Sequence, residues 1–151
     1  MAVFRYSMQN VLDVKLKLED QAKTAFSQAQ MRVNEATDVL EAIIKRREGY
    51  EELKRELMTK RLDVLKLNQC QNAIESLKYQ EQQQARKLAA LNAVLDNARR
   101  KLNEAIIERK THEKLKENEF EEFKIELNNQ EKKEIDELVS FTHNRAGEED
   151  E

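Results

Sequence analysis

The 151-residue sequence contains only two glycines, no proline and no tryptophan. Glycine and proline form tight turns at the least cost, so an architecture of many strands joined by short turns is excluded. A glycine-rich loop of the kind that holds phosphate groups is excluded as well. Cys70 is the single cysteine, so no internal disulfide can form, and a lone helical cysteine is usually a small packing residue.

Long apolar runs are also lacking. No stretch approaches the roughly 18 consecutive apolar residues that a membrane-spanning helix needs. The opening MAVFRYSMQN does not contain the apolar central region of a secretory signal peptide. We therefore expect a protein that stays in the cytoplasm.

The sequence is rich in charged and helix-forming residues. Charged side chains make up 38% of the chain and apolar side chains 39%. Alanine, glutamate, lysine, leucine, arginine and glutamine dominate, as they do in long helices and coiled coils. Because this composition cannot fill a broad core, burial should follow a narrow seam between helices. We predict an all-α protein with one antiparallel coiled-coil domain over residues 1–145.

Apolar residues recur with the heptad spacing of a coiled coil from Phe4 to Leu57. Thirteen of the sixteen positions reached by alternating steps of four and three residues are apolar, against about six expected by chance. Four of these positions hold alanine, which allows a partner helix to approach closely. The spacing predicts a first helix over residues 4–57.

A second heptad register runs from Ile74 to Phe141 with a one-residue shift on the way. Glu81 and Gln84 interrupt this register, and we expect them to loosen the pairing of the helices.

The two registers are separated by a short polar segment. It contains Thr59 and Asp63, either of which is suited to cap a following helix. We predict a turn over residues 58–63, a second helix over 64–144 and a disordered acidic tail over 146–151. A single unbroken helix is the alternative.

A turn near residue 60 pairs residues whose numbers sum to about 120. Phe4 then faces position 116, so about 28 residues, or roughly 40 Å of helix, extend beyond the first helix. Large apolar side chains on such an unpaired helix end usually mark a surface that another protein covers. The predicted overhang carries six of them: Phe120, Phe123, Leu127, Ile135, Leu138 and Phe141.

Residues suited to catalysis or metal binding are scarce. His112 follows Glu108 at the i, i+4 spacing of a helix face, which offers two ligands where a structural zinc site needs four. His143 lies near the predicted end of the second helix. Basic clusters such as Arg99-Arg100-Lys101 lack interleaved aromatic residues, so they are typical of a salt-bridged surface rather than of a nucleic-acid site. We expect no enzymatic activity, no cofactor, no metal and no nucleic acid.

Two segments resemble a known family. FRYSMQNVLDVK, from Phe4 to Lys15, resembles the start of the FliJ family of flagellar export proteins from Gram-positive bacteria. KKEIDELVSF, from Lys132 to Phe141, resembles the terminal segment of that family. The resemblance covers the whole chain in length and hairpin layout. It implies an antiparallel coiled coil similar to the central stalk subunit of rotary ATPases.

The resemblance implies a non-enzymatic stalk that binds the hexameric ring of the flagellar export ATPase FliI. The implied binding end comprises residues 1–20 and 117–145. The contact residues that we assign to it are Phe4, Tyr6, Met8, Phe120, Phe123, Leu127, Ile135, Leu138 and Phe141.

The resemblance further implies that the hairpin tip, over residues 40–80, binds the membrane export-gate protein FlhA and that the protein escorts export chaperones. The gate contacts implied are Ile43, Arg46, Tyr50, Ala73 and Leu77. The protein is then expected to be monomeric alone and peripheral to the cytoplasmic side of the cell membrane through the gate.

Two other interpretations stay open at this point. The stalk of an injectisome secretion system shares the architecture. A generic structural coiled coil that associates with itself through its overhang has the same composition.

Overall fold

The computed structural model describes residues 2–149, and within that range it contains two α-helices and no strand. Helix α1 spans Gln9–Thr59, and helix α2 spans Val64–Glu149. The helices run antiparallel and are joined by residues 60–63. The predicted all-α helical hairpin is confirmed.

The helix bounds differ from the expected ones at three points. Helix α1 begins at Gln9 instead of residue 4 and ends at Thr59 instead of residue 57. Helix α2 begins at residue 64 as expected but continues to Glu149. The acidic tail expected to be disordered over 146–151 is therefore helical as far as it is described, and its last two residues lie outside the described range.

Asp63 caps the second helix. Its side-chain Oδ1 accepts a hydrogen bond from the backbone N–H of Lys66, with an N···O distance of 3.3 Å. Its carbonyl oxygen accepts a hydrogen bond from the N–H of Leu67, with an N···O distance of 3.1 Å. The first of these bonds satisfies a donor that the first turn of any helix leaves free, and the second is the first intrahelical hydrogen bond of α2. Thr59, the other candidate cap, instead donates its hydroxyl to the carbonyl of Glu56 at the end of α1, 2.8 Å away.

Contacts group the chain into two compact units. The terminal unit contains the residues up to Leu18 and those from Ala105 onward, and the hairpin unit contains Glu19–Glu104. The expectation of one domain over residues 1–145 stays a prediction.

The core of the hairpin unit is a narrow seam. Ala29, Val33, Leu95 and Ala98 form a buried cluster, and Phe26 is among the residues packed against it. Two of the four buried residues are alanine, whose small side chains allow the helix backbones to approach closely. No described side chain is less than 2% exposed, as a two-helix seam without a third layer dictates.

Polar residues in the seam of the hairpin unit have partners. Arg47 Nε donates to Glu81 Oε2 at 2.8 Å, and its Nη1 donates to Glu51 Oε1 at 2.9 Å. These hydrogen bonds, chiefly the one that Glu51 accepts, raise the pKa of Arg47. Gln84 Nε2 donates to the carbonyl of Ala36 at 3.0 Å. Glu81 and Gln84, expected to loosen the hairpin, are thus hydrogen-bonded across it.

The pairing register lies further along α2 than expected. Within the hairpin unit, Lys54 meets Gln71 at 2.7 Å. Within the terminal unit, Lys15 meets Glu108 and Lys116 meets Gln9, both at 2.7 Å. These pairs sum to between 123 and 125 instead of 120. The reason is the position of the turn, because residues equally distant from Thr59 and Val64 sum to 123.

Candidate protein-binding surfaces

The terminal unit begins with a segment that is not helical. Residues 2–8 lie outside α1, whose first hydrogen bonds run to the carbonyls of Tyr6 and Met8. The N–H of Gln9 donates to Tyr6 at 3.2 Å, and that of Leu12 donates to Met8 at 3.1 Å. A helix rises only about 1.5 Å per residue, less than most other backbone conformations, so this non-helical segment reaches further along α2 than a continuation of α1 would.

Phe4 packs on two aromatic residues of α2. Its ring centroid lies 5.1 Å from that of Phe120 and 5.5 Å from that of Phe123, with interplanar angles of 58° and 50°. Tilted arrangements at this distance are favourable aromatic pairs. Phe120 and Phe123 were expected to be unpaired, and this is wrong, because the non-helical segment before α1 carries Phe4 beyond position 116.

The aromatic cluster stays partly open. Phe120 is 38% exposed, and Lys124 Nζ lies 4.5 Å from the centre of its ring. Beside it is a groove of about 560 Å³. The groove is lined by Phe4, Gln9, Leu12, Leu16, Glu113, Lys116, Glu117 and Phe120.

Tyr6 and Met8 differ in exposure. Tyr6 is buried, at 7%, and among the described residues its hydroxyl has no hydrogen-bond partner. Met8 is 42% exposed. Of the two, only Met8 offers substantial surface to another protein.

An ion pair joins α1 and α2 within the terminal unit. Lys15 Nζ donates to Glu108 Oε2 at 2.7 Å. This hydrogen bond and the charge of Lys15 hold the pKa of Glu108 below its usual range, and His112 adds a smaller effect in the same direction. Across the described range, no group of three or more histidine, cysteine or acidic side chains is placed to hold a metal ion.

Helix α2 continues as residues 128–149, which we call the C-terminal extension. Every residue of the extension is exposed, whereas Leu127, just before it, is half-buried. The large apolar residues of the extension are exposed by 58% to 66%. They are Ile135, Leu138, Val139 and Phe141.

The model of one protein family, described as Flagellar FliJ protein, matches residues 4–148. The chain belongs to the FliJ family. No curated protein and no solved structure matched the chain, so its likeness to the central stalk of rotary ATPases stays a prediction. Membership makes this chain a flagellar export-related protein of a family not known for enzymes.

The gate residues implied by the FliJ family lie in the hairpin unit and differ in exposure. Arg46 is exposed, and Ile43, Tyr50 and Ala73 are half-buried. Leu77 is only 4% exposed, so in this arrangement it contributes to the hairpin seam and offers little surface.

Sequence reasoning missed one surface of this FliJ-family chain. Apolar residues at and beside the turn are 60% to 69% exposed, namely Met58, Leu62, Val64 and Leu65. They fall between the two heptad registers, so periodicity assigns them no face. The sequence signal for this surface is the presence of basic residues among the apolar ones, at Lys60, Arg61 and Lys66.

Neither of the two described helices has a segment both long and apolar enough to span a membrane.

Proposed function

We propose that this chain is a stalk of flagellar type III export that binds the export ATPase FliI through its terminal unit. The supporting observation is the exposure of Ile135, Leu138, Val139 and Phe141 on the C-terminal extension. Burying a large apolar side chain stabilises a complex by about 1.5–3 kcal/mol, so a partner that covers this stripe gains considerable free energy. The aromatic cluster of Phe4, partly open beside its groove, offers further apolar surface in the same terminal unit.

The proposed mechanism is mechanical and allosteric. A two-helix hairpin has no rotational symmetry, so it contacts the identical subunits of a ring unequally. Subunits that bind it differently are biased toward different conformations, which couples stalk binding to assembly and to the nucleotide state of the ring. The chain is then a ligand of the ATPase and performs no chemistry itself.

We propose that the hairpin unit binds the export gate FlhA and escorts export chaperones. Arg46 is the exposed member of the implied gate contacts, and Ile43, Tyr50 and Ala73 keep part of their surface open. Half-buried tyrosines with one accessible face are frequent anchors of protein interfaces. The protein reaches the cytoplasmic side of the membrane through this contact.

The ATPase contact is tested with the double variant Leu138→Ser and Phe141→Ser. We expect the affinity for FliI to fall at least about tenfold, since that loss requires only about 1.4 kcal/mol. Stimulation of ATP hydrolysis should fall in parallel. The matched control is Leu62→Ser with Leu65→Ser, which removes equally exposed side chains beside the turn.

The control variant should keep full affinity for the ATPase. Equal binding by both variants and the unaltered chain would show that the extension is not the contact. Absence of any complex with the unaltered chain would overturn the proposed function itself.

The gate contact is tested with Tyr50→Ala, measured against FlhA by titration. Its control is Met31→Ala, because Met31 is 61% exposed and lies in the hairpin unit outside residues 40–80. We expect at least about tenfold weaker binding for Tyr50→Ala and little change for the control. If Tyr50→Ala binds FlhA with unchanged affinity and keeps its helix content, Tyr50 is a packing residue and not a gate contact.

A further inference from the structure

The turn of the hairpin unit presents an apolar and basic surface, which we call the tip patch. Its apolar members are exposed more fully than most other large apolar side chains of the hairpin unit, and its basic members alternate with them along the chain. The tip patch consists of Met58, Lys60, Arg61, Leu62, Val64, Leu65 and Lys66.

The basic side chains of the tip patch have no acidic partner among the described residues. Across the described range, no side-chain ion pair or hydrogen bond engages Lys60, Arg61 or Lys66. The one acid inside the patch, Asp63, accepts the N–H of Lys66 and is committed to capping α2. Residues 58–66 therefore carry three bases and one acid.

We propose that the tip patch binds the headgroup region of a bilayer that contains anionic phospholipid. Aliphatic side chains enter the boundary between headgroups and acyl chains, while the long lysine and arginine side chains extend back to the lipid phosphates. Each basic residue near an anionic surface contributes a similar amount to the free energy of membrane binding. Burial of the apolar side chains contributes the remainder of that free energy. The chain touches the surface there without spanning it.

The composition of the tip patch favours lipid over a protein partner. The centres of protein interfaces are enriched in tryptophan and tyrosine and are held in fitted pockets. The tip patch has no aromatic residue and lies on a turn, which is convex. A fluid lipid interface requires no matching pocket, only apolar side chains and charge of the opposite sign.

The C-terminal extension provides an internal comparison. Its apolar side chains are as exposed as those of the tip patch, but its six acids outnumber its three bases. An anionic membrane therefore attracts the tip patch and repels the extension. The difference in charge separates lipid binding from unspecific adhesion of apolar residues.

The chain contains no tryptophan, so one introduced tryptophan reports on one site. We expect the emission of Leu65→Trp to shift to shorter wavelength with vesicles of phosphatidylcholine mixed with phosphatidylglycerol. Vesicles of phosphatidylcholine alone should produce little shift. The matched reporter Leu138→Trp, on the extension, should not shift with either vesicle.

The charge contribution is tested by cosedimentation of the full chain with the same vesicles. The charge-reversing pair Lys60→Glu and Arg61→Glu should weaken binding at least about tenfold, since two attractive charges are lost and two repulsive ones are gained. The control Lys132→Glu with Lys133→Glu reverses two bases of the extension and should leave binding unchanged. Raising the salt concentration should weaken binding by the unaltered chain, because the attraction is screened.

Three results would overturn the proposal: no binding of the unaltered chain to anionic vesicles, equal binding to neutral ones, or equal losses in both charge variants. A loss of binding to FlhA in the tip variants without any vesicle binding would assign the tip patch to a protein contact instead. The isolated chain and vesicles suffice, so this test is independent of the proposed ATPase and gate contacts.

Discussion

At Glu108 the terminal unit places a carboxylate 2.7 Å from a lysine ammonium. The side chain of Glu108 is 55% exposed and that of Lys15 25%, so solvent screens the pair and its contribution to stability is modest. Its main effect is on titration, since the hydrogen bond from Lys15 lowers the pKa of Glu108.

A lowered pKa predicts a pH-dependent contribution. Because the folded chain favours the ionised carboxylate, the ion pair stabilises the fold fully at pH values above the usual glutamate pKa of 4.5. This stabilisation is lost as the pH falls through the lower pKa that Glu108 has in the folded chain. Glu108→Gln should therefore reduce the melting temperature near neutral pH. The difference from the unaltered chain should shrink as pH falls below 4.5.

The measurement is thermal unfolding followed by circular dichroism over that pH range. Glu104→Gln is the control, because Glu104 is exposed and has no ion pair among the described residues. A constant difference between Glu108→Gln and the unaltered chain at all pH values would contradict a role for the ionised pair.

For Tyr6 we expect the opposite effect, in which removing a polar group does not lower the stability of the fold. Its hydroxyl is buried without a partner in the described structure, and such a group opposes folding by about 1–3 kcal/mol. Tyr6→Phe removes the hydroxyl and keeps the ring, so the free energy of unfolding should stay equal or rise. Denaturant titration measures it, and a clear loss of stability would show that the hydroxyl makes a favourable bond.

At the scale of elements, α2 has a paired part and an unpaired part. The pairing ends near Phe123 and Leu127, several residues later than the heptad arithmetic predicted, because residues 2–8 are not helical. Beyond this point every described residue of the C-terminal extension is exposed, so deleting the extension removes little buried surface. Stability and partner binding therefore depend on different segments of the same helix.

Two truncations separate these segments. A chain ending at Leu127 should melt at nearly the temperature of the full chain, but should no longer bind the export ATPase. A chain ending at Lys116 also loses the aromatic partners of Phe4, so its unfolding free energy should fall by about 1–3 kcal/mol, or several degrees. If the shorter extension deletion already lowered the melting temperature strongly, the extension would contribute to the fold.

At the scale of the whole molecule, charge is distributed unevenly along the chain. Residues 117–151 carry 13 acids and 4 bases, a net charge of −9, whereas residues 1–116 carry a net charge of +6. Like charges on two copies of the C-terminal segment oppose their parallel association despite the exposed apolar stripe. The same charge leaves the stripe available for a different partner.

We therefore expect the isolated chain to remain a monomer with a mass near 17.8 kDa. Sedimentation equilibrium over a range of concentrations at low and moderate salt measures this. A concentration-dependent increase in mass that disappears in Leu138→Ser with Phe141→Ser would instead assign the stripe to self-association. The generic structural coiled coil would then be the better interpretation.

Much of the fold could be predicted from local chemistry. Helix α2 begins at the predicted residue because Asp63 is a good capping residue, and that preference is local. The start of α1 at Gln9 could not be predicted, because the heptad positions of Phe4 and Met8 suit a helix equally well. Burial of Phe4 on Phe120 and Phe123 is a contact between distant residues, which periodicity does not contain.

The sequence by itself determined the helical class, the hairpin, the capped turn and the exposed apolar stripe, since composition, heptad spacing and capping act over a few residues. The FliJ family follows from the sequence as well. Only the tertiary structure decided the register, the burial of Tyr6 and Leu77, the partners of Glu81 and Gln84, and the full exposure of the tip patch. The register, the burial of Leu77 and the partners of Glu81 and Gln84 depend on which residue of one helix faces which residue of the other, so a shift of one helical turn changes them. Tyr6 and the tip patch depend instead on the path of the chain before α1 and around the turn, which local patterns do not specify.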